Sequence, residues 1–285
     1  MSEESRARFA TEARAAAPDP ALLCLLIGCE EDPELGAPIG TRLDTVLAHW
    51  LRMLDRLAFA AGEAGCDDPG LEPSVLVSRL AGALAGAAEF RGGPGAYRYL
   101  DSSLLHRVLR RRRGLPIMLS LVWTEVGRRL GLPVHPVALP GHFVVGVGDL
   151  RGSHVLADPF HGGRLLSYAD AAELCSRSGQ TMTPDLLSPA EPLDVVLRVL
   201  GNVRSWAAAR PEHARVQLWA TELSLLLPRH PAQLRLERGE LLVKTGRFVE
   251  GAKEMEAFAT ILDTFDRESA ARVRREAQAA RHRLN

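Results

Sequence analysis

Cysteine is scarce and scattered: Cys24, Cys29, Cys66 and Cys175 are the four in the chain. Such a distribution over 285 residues is expected to give reduced thiols, and it excludes a small disulfide-stapled scaffold. Long apolar runs are missing as well; none approaches the roughly 18 residues a membrane span requires. Net charge is absent, because 35 Lys and Arg balance 35 Asp and Glu. That balance argues against nucleic acid as the partner of a broadly basic surface. The opening stretch MSEESRARFATEARAAAPDP is charged and has no apolar segment of the secretory kind, so a cytoplasmic protein is expected.

What is present is an ordinary globular composition, 46% hydrophobic and 25% charged. The length suits one or two domains with a sizeable core. Apolar residues recur at helical spacing over 39–64, through Val46, Leu47, Trp50, Leu51, Leu54 and Ala58. Shorter helices are expected over 1–17 and 73–87, and 20–29 is a short apolar stretch. Residues 90–101, FRGGPGAYRYLD, read as a loop. Ser102 or Ser103 is then placed to cap a helix that runs to about Arg111.

Gly114-Leu115-Pro116 opens a further helix over 116–130, since proline loses nothing at a first helical position. Its apolar residues cover most of its circumference, which predicts burial, and Gly131 with Pro133 closes it. The texture then turns to β-branched runs at 134–139, 142–148 and 154–159, separated by turn residues. These predict three antiparallel strands. A helix near 168–176 follows, and 177–193 reads as a linker rich in Pro, Ser and Thr. Everything after that reads as helix, in segments near 194–209, 212–227, 231–244, 247–262 and 267–283. Short breaks between them suggest stacked hairpins, and Gly239, Leu242, Gly246, Phe248 and Gly251 fall close to tetratricopeptide spacing.

Chemistry concentrates in 97–168. A buried helix starts at Pro116, a strand starts with His142 after Pro140-Gly141, and another ends at Asp158-Pro159-Phe160. That order, helix then His then Asp, is the order in which papain-like and transglutaminase-like folds carry nucleophile, base and orienting acid. The stretches RRGLPIMLSLVW, RRLGLPV, LPGHFVVGV and DPFHGG resemble the bacterial SirB-type transglutaminase-like family, whose members carry a C-terminal tetratricopeptide tail. The segment RLERGELLVKTGRFVEGAKEMEAF resembles that tail.

The resemblance implies an α+β fold: a papain/transglutaminase-like core with a small antiparallel sheet, then an all-helical tetratricopeptide-like module. The expected division is a helical segment at 1–38, the core at 39–177, a linker at 178–193 and the module at 194–285. Catalytic transglutaminase-like proteins carry a cysteine at the start of the buried helix, where the helix dipole favours a thiolate, and the resemblance implies its replacement, which is typical of the SirB-type group. In this chain that position is Pro116, which carries no nucleophile. His142 and Asp158 are expected to pair, with His142 Nδ1 toward the carboxylate. The reading is a protein- or peptide-binding or regulatory protein with a degenerate active site, its helical module docking the partner. The competing reading is acyl transfer or amide hydrolysis by His142 and Asp158 with a substitute nucleophile such as Ser120.

Other candidates are weighed against ordinary structural roles. Ser120 lies one turn after Pro116, and its hydroxyl is expected to bond a carbonyl one turn earlier. Arg111 and Arg113 belong to a basic run at a helix C-terminus, where cations complement the dipole; as binding residues they would hold an acidic group. Tyr97, Tyr99 and Phe90 either line a cleft mouth or pin a loop to the core. His135, His142, His154 and His161 fall close together with Asp158, but no His-x-His or Cys-x-x-Cys spacing occurs. No metal and no cofactor are therefore expected, and His161 is read as a binding residue.

Overall fold

The computed structural model describes residues 3–68, 70–149 and 154–282. The chain separates into two compact units, one built on Ala17–Val199 and the other on Arg6–Ala16 with Leu200 onward.

In the first unit, helix α2 (Pro20–Glu31; α1 is Glu3–Glu12) starts where Asp19 accepts hydrogen bonds from the Ala21 and Leu22 amides, at 2.8 and 3.0 Å. Proline at the first helical position needs no acceptor, so the cap is complete. Helix α3 (Leu43–Glu63) buries one stripe, from Val46 and Trp50 to Leu54 and Ala61, as its periodicity dictates. Helix α4 (Pro73–Leu80) continues into a π-helical segment, Ala81–Ala87. Helix α5 (Leu105–Arg111) precedes α6 (Pro116–Leu130). Ser102 and Ser103 do not cap α5. They lie buried in a preceding 3₁₀ turn, and Leu104 stands at the cap position without a side-chain bond.

Helix α6 is the buried centre. Eleven of its residues, including Pro116, Ser120 and Trp123, are buried, and Gly131 ends it in the left-handed region at φ 68°. Trp123 is fully buried among Leu76, Leu80, Leu84, Val145, Val147 and Ala157. Side chains buried to this degree contribute about 1.5–3 kcal/mol each.

The sheet packs on α6. Its strands are β1 (Val134–Val137), β2 (Val144–Gly148), β3 (His154–Asp158) and β4 (Arg164–Leu166), antiparallel in the order β1-β2-β3-β4. The fourth strand is not among those expected. His142 lies two residues before β2 rather than at its first position. The turn read between β2 and β3 lies outside the described residues at 150–153. Helix α7 (Tyr168–Arg177) begins with a reciprocal capping box between Ser167 and Asp170. The expected linker 178–193 lies inside the first unit, held by the 2.8 Å bond from Ala190 N to Pro136 O on β1.

The division between the units falls within α8 (Pro192–Ala208). The second unit holds α9 (Ala214–Leu226), α10 (Gln233–Lys244), α11 (Phe248–Leu262) and α12 (Arg267–His282). Helices α10 and α11 cross at Gly239 and Gly251, where a Cβ on Gly251 would sit 2.6 Å from Gly239 O. Only hydrogen fits at that crossing. Arg238 joins Glu222 and Glu254 across three helices, at 3.3 and 2.6 Å, and Arg6 reaches Glu222 at 2.8 Å. Among the described residues no helix is long and apolar enough to cross a membrane.

Candidate functional site

Strand β3 delivers Asp158 to its C-terminal end, where Pro159 opens a 3₁₀ turn through His161. Three residues per turn bring positions i and i+3 to the same side. Asp158 and His161 therefore meet, with His161 Nδ1 2.7 Å from Asp158 Oδ2. The same oxygen lies 2.9 Å from His142 Nε2. The other oxygen accepts hydrogen bonds from the Phe160 amide at 2.9 Å and the His161 amide at 3.4 Å.

The expected pairing of His142 with Asp158 thus forms through Nε2, which leaves Nδ1 on the opposite side of the ring. Asp158 is buried to 1% side-chain exposure, His142 to 12%, while His161 is 57% exposed. Burial alone pushes the Asp158 carboxyl up, but the bonds and charges of the two imidazoles outweigh it and hold the group below its ordinary value.

Packing fixes the group further. The Phe160 ring meets His142 edge-on at 6.2 Å, and His161 stacks on His142 at 6.1 Å. Gly92 donates its amide to Phe160 O at 2.9 Å, and a Cβ there would strike the Phe160 ring. After the turn, Gly162 and Gly163 have φ values of 72° and 84°. A Cβ on Gly163 would lie 2.6 Å from the Trp123 ring, so the turn lies directly on α6. Beside it opens a cavity of about 430 Å³, lined by Ala81, Ala85, Arg91, Gly92, Phe160 and His161. Ala81 and Ala85 come from the π-helical segment, a backbone form often found at functional sites.

Tyr97 belongs to the same electrostatic neighbourhood. Burial raises its phenol, Arg198 lowers it and Asp158 raises it, with a net upward shift. Sequence reasoning grouped Tyr97 with the loop aromatics but chose Tyr99 as the binding residue. Tyr99 is exposed, and among the described residues it makes no hydrogen bond to the His142–Asp158 group. Phe90 is buried and pins the loop. Arg91 and Gly92 were missed; the dense glycines at 92, 93 and 95 were the signal that backbone and ring approach closely there.

The remaining candidates have other partners. Ser120 is fully buried, and its hydroxyl donates to Phe143 O at 3.4 Å instead of to a carbonyl in its own helix. It ties α6 to the segment carrying His142. Arg111 pairs with Asp101, and Arg113 donates to Glu89 O at 2.6 Å and Arg112 O at 2.9 Å. All four cysteines are free and buried. Burial raises each thiol, that of Cys29 to about 12, so none rests as a thiolate. His135 and His154 lie outside the group that His142, Asp158 and His161 form.

Residues 48–201 match the model of the transglutaminase-like superfamily, a span that contains α6, the sheet and the whole His142–Asp158–His161 group. The chain belongs to the transglutaminase-like superfamily. A UPF0162 protein of Xylella fastidiosa is 35% identical over 166 residues, 55% of this chain and 57% of that protein. F-box only protein 21 of Homo sapiens is 28% identical over 187 residues, 63% of this chain and 29% of that protein. A UPF0162 protein of Vibrio cholerae is 26% identical over 153 residues, 53% of this chain and 56% of that protein. The chain thus spans little more than half the length of the bacterial relatives and under a third of the human one.

Proposed function

We propose that this transglutaminase-like protein binds a protein or peptide segment at a cleft that has kept its His–Asp pair and lost its nucleophile. One observation carries the reading. Pro116 occupies the first position of the buried helix α6, where catalytic transglutaminase-like proteins carry cysteine, while His142 and Asp158 still lie 2.9 Å apart. A base with no proton donor to activate has no covalent chemistry to perform. Ser120 is turned to Phe143 O, and the four cysteines are buried thiols, which supports the same reading.

The 430 Å³ cavity beside His161 gives the bound segment a place for a side chain, with Arg91 at its edge for an acidic group. The helices of the second unit are read as the tetratricopeptide-like module that the SirB-type resemblance implies, a module that docks the partner. The competing reading, acyl transfer or amide hydrolysis by His142 and Asp158 with a substitute nucleophile, draws support from the intact pair.

An acyl-transfer assay with glutaminyl peptides and a labelled amine, run on wild type and His142→Ala, separates the two. The binding reading expects no turnover in either and peptide binding that Ala85→Phe weakens by filling the cavity. Turnover that His142→Ala abolishes would overturn it.

A further inference from the structure

Beyond partner binding, we propose that His142, Asp158 and His161 form a binding site for one divalent transition-metal ion of the zinc class. His142 Nε2, Asp158 Oδ2 and His161 Nδ1 all lie within 4.8 Å of one another. Among the described residues this is the group of three such donors that converges. Two imidazole nitrogens and one carboxylate oxygen suit zinc, cobalt or nickel, whereas magnesium and calcium take oxygen donors.

The geometry is close to what an ion needs. Bonds of about 2.0–2.2 Å in a tetrahedral arrangement place donor atoms about 3.4 Å apart. The two pairs sharing Asp158 Oδ2 stand at 2.9 and 2.7 Å, so the ligands need to open by roughly half an ångström. His161 can provide that movement, because its side chain is 57% exposed. Asp158 stays in place, since the amides of Phe160 and His161 hold its second oxygen. Backbone support of this kind orients a ligating carboxylate. Binding takes each imidazole in the neutral tautomer that carries its proton on the other ring nitrogen, so that His142 Nε2 and His161 Nδ1 offer lone pairs to the ion. Three protein ligands leave a further coordination position for water or a donor atom from a bound molecule. His161, itself a ligand, lines the adjoining 430 Å³ cavity.

The inference does not rest on the binding reading above, since it needs only these three side chains. The test uses the full chain without an affinity tag, stripped with chelator and titrated with Zn²⁺ by calorimetry and with Co²⁺ by visible absorption. One equivalent per chain is expected, with the Co²⁺ spectrum of a site of four or five ligands. His161→Ala and His142→Ala should each weaken binding by at least about tenfold, the lower end of what loss of a mere supporting group costs. His154→Ala, outside the group, should leave it unchanged. Because His161 is largely exposed, His161→Ala should keep the circular dichroism and unfolding temperature of the metal-free protein. Absence of stoichiometric binding, or binding that both site variants retain, would overturn the site. Neither result depends on whether peptide binds.

Discussion

His142 Nε2 and Asp158 Oδ2 lie 2.9 Å apart, and the carboxylate they share with His161 is almost completely buried. The arrangement comes from a strand end, a three-residue turn and a Pro-Gly-His segment, each readable as a local motif. Their convergence depends on the sheet, which sets β2 beside β3 in antiparallel register.

Asp158 should act on stability with a defined pH sign. Its folded value lies below the ordinary 3.8, so its stabilisation is present above that pH and is lost as pH falls through the folded value. Asp158→Asn should cost about 1–3 kcal/mol at pH 7, the range for disrupting a buried bonded group. Denaturant unfolding should show the gap between wild type and variant closing only below about pH 4.

His106 should give a second, separate acid transition. It is 2% exposed, neither ring nitrogen has a hydrogen-bond partner among the described residues, and burial lowers its pKa from 6.5 to about 4. The unfolded chain binds this proton first, so the stability is intact above 6.5 and is lost as pH falls from 6.5 toward 4. The total loss is about 3 kcal/mol. His106→Met should flatten the stability curve in that window, measured as the difference from wild type.

The two glycines after the Asp158 turn should respond unequally to alanine. Both have positive φ, which costs about 1–2 kcal/mol once a Cβ is present. At Gly162 the added carbon meets nothing closer than Ala85 Cβ at 3.9 Å, whereas at Gly163 it lies 2.6 Å from Trp123. Gly163→Ala should therefore unfold more easily than Gly162→Ala by a further 1–3 kcal/mol or so, the usual cost of overpacking.

Some of this was legible in the sequence for simple reasons. Helix α6 announces itself through Pro116 and Gly131, and its all-round apolar residues predict its burial. Pro-Gly before His142 and Asp-Pro at the end of β3 marked the pair. Strand β4 was missed because it is three residues long and two of them, Arg164 and Leu165, are exposed, so no alternation shows. The convergence of His161 was missed because metal-ligand spacings presume helices and strands, whereas here a 3₁₀ turn aligns residues three apart. Ser102 and Ser103 look like caps, yet their turn is buried and its backbone accepts from Leu115 N at 2.9 Å. Only tertiary packing decides that.

The central claim is that the site lacks a nucleophile at Pro116 and nothing else. The direct measurement is the thiol pKa of Pro116→Cys, followed by ultraviolet thiolate absorbance as the difference from wild type, a readout that needs no reagent to reach the buried position and in which the four native thiols, raised by burial, cancel. The account predicts a value at least about one unit below the free-thiol 8.5, from the helix N-terminus and His142, and a return toward 8.5 when His142→Ala is added. An ordinary pKa that His142→Ala leaves unchanged would contradict it.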